Sequence, residues 1–346
     1  MVAVSVTAGP SPRADAPVDP STQQPTPAPT RLVGRDPDAF VNGNPVWLGP
    51  TLEEEARLPE DRRMHLSPDL NGKHQSATEA GLEHAVMAFA DTGQDGWVTD
   101  VWLVGDDGTT YTLDLPELDE LTVAVLDPTA NQQGYPVPSF TASSLSPEGT
   151  KLAFADTSGI VIYDLPTNTW TIPGVPDAFS DMGPGFTWAS EETIDLQEGS
   201  LNVRTGNVGE FDRRPSPLGG TRFSVADWWG QPRWNGSDNR AARAAFSTGV
   251  TVVDAGYANP EAVVVEGKRP AMLVINGQGR FNGCCAAARW LDKDTVVFES
   301  RSAEAMRLLG WNTRTGDIRS LAKVLWPGEG GLISSYADVG QFLSRR

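Results

Sequence analysis

The 346-residue chain has two cysteines, three histidines and no long apolar run. Each shortage excludes something. The cysteines are neighbours, Cys284-Cys285, so they cannot staple distant parts of the chain as a disulfide framework does. The histidines, His65, His74 and His84, sit nine and ten positions apart on expected loops. Metal sites want two such ligands at short spacing on one element, so this spacing offers no metal site. The longest apolar stretch near the start, Met1-Val2-Ala3-Val4-Ser5-Val6-Thr7-Ala8, is far short of the roughly 20 residues that span a bilayer. Basic residues are scarce too, 27 against 45 acidic, for a net charge of −18. Nucleic acid and anionic membrane surfaces both demand a basic footprint, so neither is an expected partner. Gly-x-Ser-x-Gly, phosphate-loop and Cys-x-x-Cys patterns are missing, so no catalytic motif and no cofactor is indicated.

What the chain does hold is repetition. Asn202-Val203-Arg204-Thr205-Gly206-Asn207-Val208 and Asn312-Thr313-Arg314-Thr315-Gly316-Asp317-Ile318 are nearly the same heptapeptide, and Asp164-Leu165-Pro166-Thr167-Asn168-Thr169-Trp170 varies it. The leading Asp or Asn can bond its side chain to backbone two residues on and start a turn. The Gly or Asn five positions into each motif suits a left-handed residue in a bulged hairpin loop. A second element precedes each hairpin: Trp188 to Leu196, Trp290 to Phe298, and Leu145 to Phe154, each a hydrophobic anchor, a polar turn and a strand. Together they describe a four-stranded meander, repeated.

The segment "LSPEGTKLAFADTSGIVIYDLPTNTWTI", Leu145 to Ile172, resembles a blade of the TolB-type or WD40-like β-propellers. "SPEGTKLAF" is similar to that family's blade signature, with Glu148 where Asp is usual. The resemblance implies an all-β chain forming a single β-propeller; it implies no activity, because propellers carry many unrelated ones. Blades take roughly 40–50 residues. One hidden blade is expected within Thr221 to Gly267, from "GVTVVDAG" and "EAVVVEG", and another over "HAVMAFA" and "VTDVWLVGDDGTTYTLDL". Pairing of residues 32–69 with the C-terminal "LISSYADVG" would close a sixth. The expectation is six four-stranded blades, with five or seven as alternatives, over residues 32–346. Trp188 and Trp290, at strand starts, are expected to pack between blades.

Residues 1–31 are different material. Gly9 to Thr30 carry seven prolines and almost no large apolar groups, a composition that buries no core. This stretch reads as a disordered leader or stalk. An apolar run, a Pro/Thr/Ser-rich stalk and a β domain are the layout of a membrane-anchored extracytoplasmic protein whose anchor is cut short. An ordinary leader on a soluble, even cytoplasmic, protein is the alternative.

Candidate functional residues are few. Acidic pairs such as Glu191-Glu192 and Asp106-Asp107, and the run Glu53-Glu54-Glu55, read as solvated turns. Cys284 and Cys285 read as two small buried thiols, with a vicinal disulfide as the alternative. One stretch breaks the repeat: Asp212 to Arg243 concentrates Trp228, Trp229, Arg233, Trp234, Arg240 and Arg243 in an otherwise acidic chain. Trp and Arg dominate binding hot spots. Trp228, Trp229, Arg233, Trp234 and Arg240 are therefore the candidate binding residues, on a loop over one propeller face; packing of Trp228 and Trp229 within the hidden blade is the competing reading. The lack of a His/carboxylate constellation favours a non-catalytic propeller that binds a protein or carbohydrate partner, with no cofactor and no metal. The alternative is a propeller enzyme, a glycoside hydrolase or lactonase, using carboxylates at the central channel.

Overall fold

The computed structural model describes residues 34–113, 124–125, 136–173, 186–209, 227–247, 261–326 and 331–338, with short breaks within these ranges. The leader at 1–31 and "GVTVVDAG" lie outside the described residues. The architecture is an all-β propeller of five blades. Helix is confined, among the described residues, to two single turns, Leu52–Glu55 and Ala77–Ala80.

Blade 1 is built from Met87–Thr92, Val98–Val104 and Thr110–Thr112, completed on its inner side by the C-terminal strand Gly331–Tyr336. Blade 2 runs from an inner segment at 139–146 through Lys151–Asp156 and Gly159–Asp164 to Thr169–Thr171. Blade 3 comprises Thr187–Ser190, Thr193–Asp195, Ser200–Asn202 and Val208–Gly209. Blade 4 comprises Asp227–Asn235, Arg240–Ser247, Glu261–Gly267 and Ala271–Ile275. Blade 5 comprises Ala287–Trp290, Thr295–Arg301, Met306–Asn312 and Ile318–Val324.

The expected sixth blade does not form among the described residues, because its two halves are used elsewhere. The C-terminal strand pairs antiparallel with Met87–Thr92, Tyr336 opposite Met87, and closes the ring inside blade 1. Residues 39–76 instead run around the perimeter as a belt. Asn44–Leu48 lies parallel to the outer strand of blade 4, with Trp47 opposite Leu273. Glu60, Leu66 and Asp69 then bridge in parallel to Ser320, Ala322 and Leu325 on blade 5. Gln75–Ser76 finally pairs in parallel with the outer strand of blade 1. Three outer edges are thus covered, which removes the exposed strand edges that invite aggregation.

The belt is pinned by charge as well as by strand pairing. Glu55 and Arg280 form an ion pair buried on both sides. Arg280 also donates to the Pro50 carbonyl at 2.9 Å and to Ser300 Oγ at 3.0 Å, while Ser300 Oγ donates to Glu55 at 2.9 Å. Further along, Arg63 bridges Asp61 and Asp292 at 2.7 and 2.6 Å. The hydrogen bond from Arg63, against an opposing burial cost, holds the Asp61 carboxyl below its ordinary range.

The core lies at the seams between blades. One cluster joins blades 5, 1 and 2 around Phe89, Phe140, Phe154 and Leu308. A second joins blades 4 and 5 around Val263, Leu273, Phe298 and Trp311, with Trp47 of the belt added. A third joins blades 2 and 3 around Ile160, Trp188 and Ile194. Trp188 and Trp290 are both buried in these seams, as the repeat predicts. Trp188 Nε1 donates across the seam to the Ser144 carbonyl of blade 2 at 3.1 Å.

The repeated hairpins take the expected form. Asn168, Gly206 and Gly316 have φ of 54°, 71° and 70°. The Asn202 side chain accepts from the Arg204 and Thr205 amides at 3.1 and 3.0 Å, and the Asn312 side chain from the Arg314 and Thr315 amides at 3.0 and 3.1 Å. The blade signature explains itself as well. Gly149 has φ 74°, and a Cβ there would collide with the Ala85 carbonyl of blade 1.

Candidate functional site

Within each blade the turn between the first two strands and the hairpin between the last two lie at the same edge. Contacts between neighbours place these edges on one face of the ring. Ala85 N donates to the Gly149 carbonyl and Asp338 N to the Pro147 carbonyl, joining blades 1 and 2. Glu191 joins blades 2 and 3, and Arg240 joins blades 4 and 5. All three repeated hairpins stand on this face.

The face carries a groove of about 540 Å³ between blades 2 and 3. Ile162 and Val203 give it apolar footing, and Thr169 and Thr171 of the outer blade 2 strand supply hydroxyls. Four carboxylates, Glu148, Asp164, Glu191 and Glu192, line it against two cations, Lys151 and Arg204. Glu191 organises the seam. It accepts from Ser146 Oγ at 2.7 Å, the Glu148 amide at 3.0 Å and Lys151 Nζ at 3.3 Å, and also from the Thr150 hydroxyl. Lys151 is additionally 3.8 Å from Asp164. Glu192 and Arg204 pair at the rim with more than half of each side chain exposed. A groove so lined favours polar or basic groups, since its excess charge is negative.

The solvated reading of Glu191-Glu192 therefore holds for Glu192 alone. Glu191 is enclosed because blade 2 turns its unpaired amide and hydroxyl donors toward it. Asp107 is likewise used locally, accepting from the Thr109 amide at 2.9 Å. In the run Glu53-Glu54-Glu55, Glu54 completes a capping box with Thr51 and Glu55 is the buried partner of Arg280.

The described part of the stretch expected to form a loop, 227–235 and 240–243, belongs to the inner strand pair of blade 4, while 212–226 and 236–239 lie outside the described residues. Trp228, Trp229, Arg233 and Trp234 all lie in the strand Asp227–Asn235, in register with Ala245, Ala244, Ala242 and Ala241. The register slips between Trp229 and Arg233, where Gly230-Gln231-Pro232 bulge from the innermost strand. Arg240 opens the next strand and is 1% exposed. Its guanidinium lies 4.9 Å above the Trp290 ring and donates to the Lys293 carbonyl at 2.9 Å and Thr313 Oγ1 at 2.8 Å. Arg240, Arg269 and Arg314 each approach the Asp294 carboxylate at 3.6 Å. Arg240 is thus a strut between blades 4 and 5.

Cys285 is 1% exposed and disulfide-bonded. The bond corrects the reading of Cys285 as a thiol; Cys284 lies outside the described residues. His84 Nε2 is 3.6 Å from Asp106, whereas His74 is not part of that pair; His65 lies outside the described residues.

Sequence reasoning passed over the groove because its residues belong to the repeat itself. The available signal was the coincidence of charged residues in the corresponding turns of successive blades, Glu148 and Lys151 in one, Glu191 and Glu192 in the next.

No family model matches the chain, and no curated protein matches it. Solved structures do. One is the extracellular domain of a one-component system from B. thetaiotaomicron, at 12% identity and a TM-score of 0.25. The match covers 67% of this chain and 28% of that one, so this chain spans under a third of that structure's length. No helix among the described residues is long and apolar enough to cross a membrane.

Proposed function

We propose that the protein is a non-catalytic binding propeller of the TolB-type or WD40-like kind, acting outside the cytoplasm and engaging a protein or glycan through its hairpin face. The groove between blades 2 and 3 carries this reading: a preformed concave site, polar-lined and acidic, set on rigid turns. The extracytoplasmic placement is supported by the Pro-rich composition ahead of the β domain, and the family by the "SPEGTKLAF" segment. Trp228, Trp229, Arg233 and Trp234 are proposed as a second contact region, because the strand that carries them ends at the same face.

The test is a charge reversal at the rim. Glu148→Lys combined with Glu192→Lys changes two exposed side chains. The full chain and this variant are compared on a glycan array and against a display library of peptides. The reading expects ligands whose affinity drops at least tenfold in the variant. Equal binding by both proteins would remove the groove as the site. A Trp234→Ala, Arg233→Ala pair asks the same of the blade 4 strand.

A further inference from the structure

The belt shows how an outer blade edge in this protein takes up an extended segment. On blade 5 the Ser320 amide donates to the Pro59 carbonyl at 3.0 Å, and the Asp61 amide donates to the Ser320 carbonyl at 2.8 Å. The hairpin repeat gives Ser320 a counterpart. Trp311 faces Ile318 and Gly310 faces Arg319 on blade 5; Tyr163 faces Trp170 and Ile162 faces Thr171 on blade 2. Ser320 therefore corresponds to Ile172. Ser320 faces Leu309 in blade 5, and Ile172 directly follows the strand Thr169–Thr171, so continuing the antiparallel alternation turns its backbone N–H and C=O outward as well.

At Ile172 nothing takes the belt's place among the described residues. Its side chain is 64% exposed, an unusual state for isoleucine, next to a strand edge that no described strand pairs with. The same strand borders the acidic groove through Thr169 and Thr171.

We infer that the outer edge of blade 2, Thr169 to Ile172, receives an extended basic segment of a partner protein as an added strand. This rests on the groove being a binding site and names its ligand class. Main-chain bonds to the Ile172 amide and carbonyl supply affinity, as Ser320 does for the belt. Side chains of the added strand alternate in direction, so those on the groove side reach Glu148 and Glu192, where Lys or Arg is complementary. Ile172 covers an apolar residue on the opposite side.

The experiment uses a phage library of random decapeptides panned on the full chain, with selected peptides measured by fluorescence anisotropy. The expected binders are rich in Lys or Arg alternating with β-branched residues, and they weaken as salt rises. Ile172→Pro removes the outward amide and no ladder bond, and it should weaken them at least tenfold with thermal stability unchanged. Glu148→Lys with Glu192→Lys should do the same. If the charge reversal abolishes binding and Ile172→Pro does not, the groove stands and the strand-edge inference fails. If selected peptides bind both variants as they bind the parent, or no peptide enriches, both fail. Hydrogen exchange on the peptide-free chain closes the remaining route: protection of the Ile172 amide before any peptide is added would show the edge already filled by the chain itself and overturn the partner.

Discussion

Gly316 lies against the indole of Trp47, so that a Cβ built on the glycine would overlap Trp47 Nε1 and Cδ1. The contact joins the last repeated hairpin to the perimeter belt, two parts of the chain far apart in sequence. It makes glycine necessary twice over, once for φ of 70° and once for space.

Gly316→Ala should accordingly be far more costly than a positive φ alone requires. A left-handed non-glycine residue costs about 1–2 kcal/mol. Forcing a methyl into a packed contact adds about 1–3 kcal/mol. Gly43 supplies the control, with φ of 79° and no atom near the same hypothetical Cβ. Urea unfolding should show Gly316→Ala losing at least about 1 kcal/mol more than Gly43→Ala. Equal losses would mean that Trp47 yields freely and the belt is loosely seated.

Glu55 anchors the belt from the other side. Removing one partner of a buried ion pair leaves the other charge uncompensated, at about 3–5 kcal/mol. Glu55→Ala should lower stability by an amount of that order and make residues 39–76 cut faster in limited proteolysis than in the parent. Unchanged stability and an unchanged cutting rate within 39–76 would show that Arg280 holds the belt without it.

The hairpins were legible because their chemistry is local. Asn312, Thr315 and Gly316 fix one turn through bonds within six residues, and the same letters recur at Asn202. The belt was not. Nothing in "NPVWLG" states that Trp47 will lie parallel to Leu273 rather than antiparallel to a C-terminal strand, since parallel partners are set by distant packing. The groove was hidden for a related reason. Glu191 and Glu148 look like ordinary turn acids, and only closure of the ring brings one to the backbone of the other. The tryptophan-rich stretch was expected as a loop, but the residues opposite it, Ala241, Ala242, Ala244 and Ala245, belong to a strand that pairs with it in blade 4.

The cysteine pair tests redox state directly. Because Cys285 is bonded, iodoacetamide should modify neither cysteine in denaturant alone and both after prior reduction. Modification of both without reductant would restore the thiol reading.

Glu266 should make the protein's stability decline toward neutral pH. It is 5% exposed in blade 4, and neither carboxylate oxygen has a hydrogen-bond partner among the described residues. Burial pushes its pKa from 4.5 up to about 7, with Arg243 opposing only in part. The folded state therefore keeps a proton that the unfolded chain releases above about pH 4.5. Stability from this group is complete below that pH, falls as pH rises toward 7, and is level above it. A shift of this size is worth on the order of 3 kcal/mol. Glu266→Gln keeps the shape and removes the titration, so it should flatten that decline and stabilise the protein near neutrality. The check is a series of urea unfolding curves from pH 4.5 to 8 on both proteins. Parallel profiles would show that Glu266 is ionised and paired in the fold, and that the decline has another source.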